Sequence, residues 1–253
     1  IKLDEASKYE NIWIVACGTA YHACLFGKDL FEKVLGVPVS VELASEFRYR
    51  EPIVGANDLG IVISQSGETM DTIAATELLK ENGAHVLALV NVVGSSLARM
   101  ADSVFYLHVG PEIGVASTKA YLGMLVGQLL LAKHWDSANK LDVSFDEIAE
   151  LPKLIEQTMA CEKQIKDISE KIYKKNDIYF IGRGLDYALA AEGALKLKEI
   201  SYLHAEALAA GELKHGTLAL IQDGTPIIVT ASQNHLLDKT TSNVQEVIAR
   251  GAY

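Results

Sequence analysis

The sequence has few cysteines and no long apolar run, and each shortage excludes a class of protein. Its 253 residues include only three cysteines, which is too few for a disulfide framework, and their spacing is not that of a metal site. Such sparse cysteine use fits a reducing cytoplasm. The longest apolar stretch, residues 121–132, is too short and too rich in glycine to span a bilayer. We therefore expect a cytoplasmic protein with no membrane span, no metal and no cofactor.

The sequence also has fewer basic than acidic residues. Lysine and arginine total 23 against 33 acidic residues, which gives a formal net charge of −10. Nucleic acids and anionic membranes bind basic surfaces, so neither is expected as a partner. A local phosphate site stays open, because helix ends and backbone N–H groups bind anions without net charge. Since residue 1 is Ile rather than Met, we expect the sequence to be part of a longer protein.

Short apolar segments alternate with helical patterns along the first half of the chain. The predicted strands are residues 12–16, 39–43, 59–64, 86–90 and 103–108. The helical patterns between and after them are residues 21–35, 71–82, 95–101 and 117–135. Strands that are apolar on both faces and alternate with helices predict an α/β fold, in which a parallel sheet is covered by helices on both sides.

The pattern of the first strand and turn returns 166 positions later. Residues 178–184 repeat the layout of residues 12–18, and the same offset places Ile61 on Ile227 and Ser66 on Ser232. One offset that serves two separate strand–loop pairs favours a duplication. The predicted organisation is a first domain over residues 1–141, an amphipathic connecting helix over 142–175 and a shortened second copy over 176–253.

Hydroxyl groups crowd the turn at residues 64–69, which we call the hydroxyl loop. Ser64, Gln65, Ser66 and Thr69 lie between a predicted strand and a predicted helix, and Gly67 allows a sharp turn and close approach of a ligand. The N–H groups at the start of the following helix point toward this loop. The pattern therefore favours a phosphate monoester site. The alternative is that the hydroxyls only cap the helix.

A similar strand–turn–helix pattern surrounds Cys17 and Thr19. The turn lacks the glycines of a dinucleotide-binding motif, so a nicotinamide cofactor is not expected. Cys17 is either a nucleophile or a small residue packed at the end of a strand. The sequence leaves both interpretations open.

Ionisable residues form a second group of candidates in the later part of the chain. Helical spacing places Glu192, Lys196 and Glu199 on one face. They are either a surface row of ion pairs or a base and an ammonium group that serve proton transfer beside a carbonyl. His215 precedes a glycine in a predicted loop, where it is either available for chemistry or merely exposed to solvent.

Taken in order, these motifs resemble the isomerase half of the glutamine–fructose-6-phosphate aminotransferase family. The matching segments are residues 17–19, 64–69, 110–119, 192–199 and 211–216. The resemblance extends from about Ile12 to the end of the sequence. It implies tandem sugar-isomerase (SIS) domains, each with a five-stranded parallel sheet between helices, of which the second is incomplete here.

The resemblance also implies a reaction and a set of roles. The substrate would be fructose 6-phosphate, and the product formed with glutamine would be glucosamine 6-phosphate. Substrate-binding roles fall on Thr19, Ser64, Gln65, Ser66, Thr69, Val115 and Ser117. Glu199 would move a proton between C1 and C2 with the help of Lys196, and His215 would serve ring opening across the interface of a homodimer. Ammonia would come from a glutaminase domain of the full-length chain.

The sequence departs from the family pattern at three places. It contains no glutaminase domain and no C-terminal tail with the family's Schiff-base lysine, and Ala20 replaces the usual phosphate-contacting serine. Two other functions are therefore considered. One is a sugar-phosphate sensor without chemistry, which would need the hydroxyl loop but not Glu199, Lys196 and His215 together. The other is an SIS-domain deglycase or isomerase that acts on a different phosphosugar.

Overall fold

A five-stranded parallel sheet forms the centre of the first of two units in the chain. The computed structural model describes residues 6–253, apart from the side chain of Ser7, and the first unit ends at Phe145. The strands are β1 (Asn11–Ala16), β2 (Val39–Leu43), β3 (Asp58–Ser64), β4 (His85–Val90) and β5 (Ser103–Tyr106). They lie in the order β2-β1-β3-β4-β5. This confirms the predicted α/β fold with a parallel sheet.

Helices cover both faces of this sheet. They are α1 (Gly18–Leu35), α2 (Ala44–Phe47), α3 (Met70–Glu81), α4 (Ser96–Met100) and α5 (Lys119–Trp135). On one face Ile14 and Ile61 pack in a cluster with residues of α1 and α5, and on the other Val15 and Val62 pack in a cluster with residues of α3. Every residue of β3 is buried, because the central strand of a doubly covered parallel sheet has no solvent side.

The segment between the two sheets contains three helices rather than the single connecting helix expected over residues 142–175. They are α6 (Phe145–Ala149), α7 (Leu151–Met159) and α8 (Glu162–Ile172). Pro152 lies at the start of α7. Proline has no N–H to donate to a preceding turn, so it begins a new helix and does not continue an old one. Nothing in the local sequence explains the second break, at Ala160 and Cys161.

The second unit, from Asp146 onward, has a smaller parallel sheet of three strands. Its elements are β6 (Asp177–Gly182), α9 (Leu185–Ser201), β7 (His204–Ala209), β8 (Ile227–Val229) and α10 (Leu237–Ile248). The strand order is β7-β6-β8, which matches β2-β1-β3 of the first unit. This confirms an incomplete second copy. The sequence pattern did not predict β7, because residues 204–209 give no strong β preference.

Strand pairing supports the duplication and corrects its register. Ile12 pairs with Val39 and Ile178 pairs with Ala205, so the offset of 166 holds for the first two strands. The pairs to the third strand are Trp13 with Gly60 in the first sheet and Tyr179 with Ile227 in the second. Ile227 stands 167 positions beyond Gly60, so one extra residue precedes β8. Ser232 therefore corresponds to Gln65, and not to Ser66 as the sequence repeat predicts.

Candidate functional site

A cavity of about 160 Å³ lies at the carboxyl ends of β1 and β3 in the first unit. Ligands of open α/β sheets bind at this edge, where the strands end and the helices begin. The residues that line it are Cys17, Thr19, Ala20, Ile63, Ser64, Gln65, Ser66, Thr69, Ser117 and Met124. The structure thus brings together every predicted substrate-binding residue except Val115. Ile63 and Met124 were not predicted to line this site, whereas Ala20 stands where the family resemblance implies a phosphate-contacting serine.

Internal hydrogen bonds fix the shape of the hydroxyl loop. The Ser64 hydroxyl lies 3.0 Å from the Thr69 hydroxyl and accepts a hydrogen bond of 3.0 Å from the Gly67 N–H. Gly67 has a φ of +66°, a conformation that L side chains avoid. A Cβ on this residue would lie 2.1 Å from the Ser95 hydroxyl oxygen. Both the left-handed backbone and the close contact therefore require glycine at position 67.

The hydroxyls of the loop do not serve as ordinary helix caps. Thr69 is the N-cap residue of α3, yet its side chain makes no capping hydrogen bond. Ser66 instead accepts a hydrogen bond of 3.2 Å from the Glu68 N–H within the loop. The first-turn N–H groups of α3 have no acceptors within the helix, and the helix dipole favours an anion at this end. These observations favour ligand binding over the capping alternative.

The cavity would have to hold an anion without a cation of its own. None of the residues that line it is lysine or arginine, so neutral donors and helix ends supply the attraction. Asp71 in the first turn of α3 would repel an anion, but its carboxylate is paired with the Arg48 guanidinium at 2.7 Å. The same hydrogen bond from Arg48 to Asp71 raises the pKa of Arg48 above its usual value.

Glu112 organises the loop that carries Ser117. Its carboxylate accepts hydrogen bonds from the Ser117 hydroxyl and the Thr118 N–H, both at 2.8 Å, and from the Ala120 N–H at 3.4 Å. Burial raises the pKa of Glu112, but these hydrogen bonds outweigh it and the pKa is lowered. Glu112 lies within the family motif at residues 110–119, but no role was predicted for it. Its position a few residues before a predicted helix start was the signal in the sequence.

A second cavity lies on the other side of Gln65 from the first. Its volume is about 500 Å³, and it shares Gln65 with the smaller cavity and has Glu112 in its wall. Val115 lies in neither wall and is 96% exposed. Its predicted contact with sugar therefore has no support in the geometry of this loop.

In the second unit, the predicted catalytic pair lies on α9. The Lys196 ammonium forms a hydrogen bond with the Glu199 carboxylate and lies 3.5 Å from the Glu192 carboxylate. The side chains of Glu192, Lys196 and Glu199 are 5%, 17% and 29% exposed. The alternative was a row of ion pairs in contact with solvent. These side chains are partly buried instead, and burial of charged groups is costly because they lose their hydration. The arrangement leaves Glu199 as the member most open to solvent.

His215 is exposed at the end of a short 3₁₀ segment, Ala210–His215. The next residue, Gly216, has a φ of +141°, so the chain turns sharply there. The neighbouring Lys214 pairs with Glu246 on α10 at 3.0 Å. These contacts anchor the segment within its own unit and leave the His215 ring accessible, and its role in ring opening stays a prediction.

Two further features of residues 6–253 bear on function. Within this range, no three His, Cys, Asp or Glu side chains are grouped so that they could hold a metal ion. None of the helices in the same range is long and apolar enough to cross a membrane. Cys17 borders the smaller cavity, so its two interpretations, nucleophile or packing residue, both stay open.

Comparison with known proteins identifies the family. The SIS-domain family model matches residues 6–133 and 171–253. Glutamine–fructose-6-phosphate aminotransferase (isomerizing) from Clostridium tetani is 51% identical over all of this chain, and that from Thermococcus kodakarensis is 47% identical over 98% of it. The chain spans 42% of the length of each relative.

A solved structure agrees with these matches. The C-terminal domain of glucosamine-fructose-6-phosphate aminotransferase from Francisella tularensis superposes with a TM-score of 0.88 and 43% identity. The match covers 98% of this chain and 72% of that one. The chain therefore belongs to the SIS-domain family and, within it, to the isomerase domains of the glutamine–fructose-6-phosphate aminotransferases.

Proposed function

We propose that the chain binds fructose 6-phosphate and carries the ketose-to-aldose isomerisation half of glucosamine 6-phosphate synthesis. The observation that carries the proposal is the cavity of about 160 Å³, in which the hydroxyl loop, up to the N-cap residue of α3, meets the first turn of α1. Its size and its neutral donors suit a phosphate monoester. The names of the similar aminotransferases supply the sugar and the reaction.

The phosphate is assigned to the hydroxyl loop. Ser64, Gln65, Ser66 and Thr69 present three hydroxyls and an amide around one cavity. Thr19 adds a fourth hydroxyl from the first turn of α1. Ser117, held by Glu112, would contact the sugar. Val115 stays in the proposal on the family resemblance alone, and it would have to gain its contact when the sugar binds.

Proton transfer is assigned to α9. The Glu199 carboxylate would take a proton from C1 of the open sugar and return it to C2. A second proton passes from the C1 hydroxyl to the C2 oxygen, so that the carbonyl moves from C2 to C1 and the ketose becomes an aldose. The Lys196 ammonium lies against that carboxylate and would balance the negative charge that develops on the sugar oxygens. The exposed His215 would donate a proton during ring opening. A sensor without chemistry would have no need for the partly buried lysine between two carboxylates, so this arrangement favours the enzyme.

The phosphate assignment is tested by titration calorimetry with fructose 6-phosphate. Ser66→Ala should weaken binding about ten- to hundredfold, since a hydrogen bond to a charged group is worth roughly 1.5–3 kcal/mol. Ser169→Ala is the matched control, because Ser169 lies exposed on α8 and bonds only to a backbone carbonyl in its own helix. Equal affinities for the two variants would remove the phosphate from the hydroxyl loop.

The base is tested by proton exchange in the chain joined to its glutaminase domain. Glu199→Gln should slow exchange of the sugar C1 proton with D₂O by about 10²–10⁴-fold, because an amide cannot act as the base. Glutamine hydrolysis should continue at a measurable rate. Exchange at the rate of the unaltered protein would exclude Glu199 as the base.

The partners and location of the protein complete the proposal. We expect a glutaminase domain in the full-length chain, a homodimer that shares His215 across its interface, and a cytoplasmic location. All three cysteines of the sequence are free thiols in the structure, which fits a reducing compartment. Sedimentation that finds only monomer at high concentration would contradict the shared His215.

A further inference from the structure

Asp186 is a buried carboxylate in the first turn of α9, and no sequence motif pointed to it. The residue is 2% exposed. Its Oδ1 accepts a hydrogen bond of 2.7 Å from the Ser232 hydroxyl, and its Oδ2 accepts one of 3.0 Å from the Ser232 N–H. The Gln233 side chain and N–H add hydrogen bonds to Oδ2 at 3.2 and 3.4 Å. Four donors from the loop after β8 thus converge on one carboxylate.

The position of Asp186 in the second copy corresponds to that of Ala20 in the first. The two residues are 166 positions apart, and each follows the glycine turn after the first strand of its unit. Ala20 lines the cavity of the first unit. The loop residues Ser232 and Gln233 correspond, through the pairing of β8, to Gln65 and Ser66. The helix side and the loop side of the first cavity therefore both have counterparts in the second unit. There the helix residue, Asp186, is in direct contact with the loop residues Ser232 and Gln233.

We propose that Asp186 is a built-in anion that occupies the second copy of the phosphate site, so that the chain binds one phosphate, in the first unit only. The carboxylate uses the loop donors that an incoming phosphate would need, and its charge repels a second anion. The methyl group of Ala20 leaves the equivalent space of the first unit open. The residue at this position thus decides whether the loop holds a ligand or the chain's own side chain.

Other properties of the second loop agree with a closed site. The Gln233 side chain also donates to the Arg183 carbonyl at 2.8 Å, and the Thr230 hydroxyl donates to the Asp186 carbonyl at 2.7 Å. The loop after β8 is therefore bonded to the backbone carbonyls at the start of α9 as well as to the Asp186 carboxylate. In the first unit, by contrast, the loop bonds to itself through Ser64 and leaves a cavity beside Ala20.

The experiment is a calorimetric titration with inorganic phosphate, carried out on variants that all contain Ser66→Ala. This proposal takes from the proposed function only the binding of phosphate by the first loop, and Ser66→Ala weakens that site. Adding Asp186→Ala should create one new phosphate site per chain, because the loop donors are then free. Asp186→Asn is the matched control and should create none, because its amide still fills the space.

The outcomes separate this proposal from the proposed function. Phosphate affinity in the Ser66→Ala parent that equals that of the unaltered protein contradicts the proposed function and does not bear on the role of Asp186. A folded Ser66→Ala, Asp186→Ala protein that gains no phosphate site overturns the present proposal. If Asp186→Ala does not fold, Ala20→Asp provides the test in the first unit. A carboxylate at position 20 should lower phosphate affinity at least tenfold relative to Ala20→Asn, and equal affinities would overturn the proposal.

Discussion

Replacing Gly67 by alanine tests whether packing fixes the backbone of the hydroxyl loop. The residue has a φ of +66°, and an added Cβ would lie 2.6 Å from the Cβ of Ser95 as well as 2.1 Å from its hydroxyl oxygen. Ser95 is buried, and its hydroxyl has no hydrogen-bond partner among the described residues. The Ser95 hydroxyl could rotate away, but the Ser95 Cβ moves only with its backbone, and Ser95 is the N-cap residue of α4. Relief of the Cβ contact would therefore have to shift the start of α4.

The expected loss has two parts. A left-handed conformation costs an L residue about 1–2 kcal/mol, and overpacking of a buried site costs a further ~1–3 kcal/mol. Gly36 is the matched control, because it has a φ of +70° at the end of α1 but open space where a Cβ would stand. Gly36→Ala should therefore show only the first part, and the two variants should differ by about 1–3 kcal/mol.

Tryptophan fluorescence in urea measures this difference in the correct unit. The sequence has two tryptophans, Trp13 and Trp135, and both lie in the first unit. With a slope of ~2 kcal/mol per molar urea, the midpoint for Gly67→Ala should lie about 0.5–1.5 M below that for Gly36→Ala. Fructose 6-phosphate affinity should also fall in Gly67→Ala alone. Equal midpoints and equal affinities would refute the claim that Ser95 packing fixes the loop.

Two further predictions concern an acid-sensitive loop and a buried thiol. The folded state lowers the pKa of Glu112, so its stabilisation of the following loop is present above the ordinary carboxyl pKa of 4.5 and is lost as the pH falls through the lower pKa of the folded state. The protection of the Thr118 N–H against hydrogen exchange, measured relative to the intrinsic exchange rate at each pH, should therefore fall at acid pH. Glu112→Gln should lose this pH dependence, and an unchanged pH profile in the variant would exclude Glu112 as the cause. Burial raises the pKa of the Cys24 thiol. A thiol reagent at neutral pH should therefore label the exposed Cys161 and leave Cys24 unmodified in the folded protein. Labelling of both thiols at equal rates would contradict the buried position of Cys24.

Sequence patterns predicted the first sheet well because each of its strands carries a local signal. The strand at Asp58–Ser64 is an almost continuous apolar run, which indicates burial on both faces. β7 was missed because the run His204–Ala209 alternates His, Glu and Leu with alanine and gives no strong β preference. It forms a strand because it pairs with the buried β6, and such tertiary pairing is not visible in a short window of sequence.

The candidate site shows the same division between local and long-range information. The hydroxyl loop was predicted from one dense segment, whereas the role of Ser117 was expected only from the family resemblance. The structure brings Ser117 to the same cavity and adds Ile63 and Met124 to its wall. Asp186 was missed because its meaning depends on a contact 46 positions away, with Ser232. The repeat offset already aligned Asp186 with Ala20. The sequence did not show, however, that the Asp186 carboxylate contacts Ser232, and this contact is the basis of its proposed role.

A crystal soaked with fructose 6-phosphate tests the central claim most directly. The account predicts one phosphate per chain, within hydrogen-bond distance of the hydroxyl loop in the cavity beside Ala20, with the Asp186 carboxylate still seated on Ser232. Phosphate bound at the loop after β8, or an empty hydroxyl loop in a crystal that holds the sugar elsewhere, would contradict it.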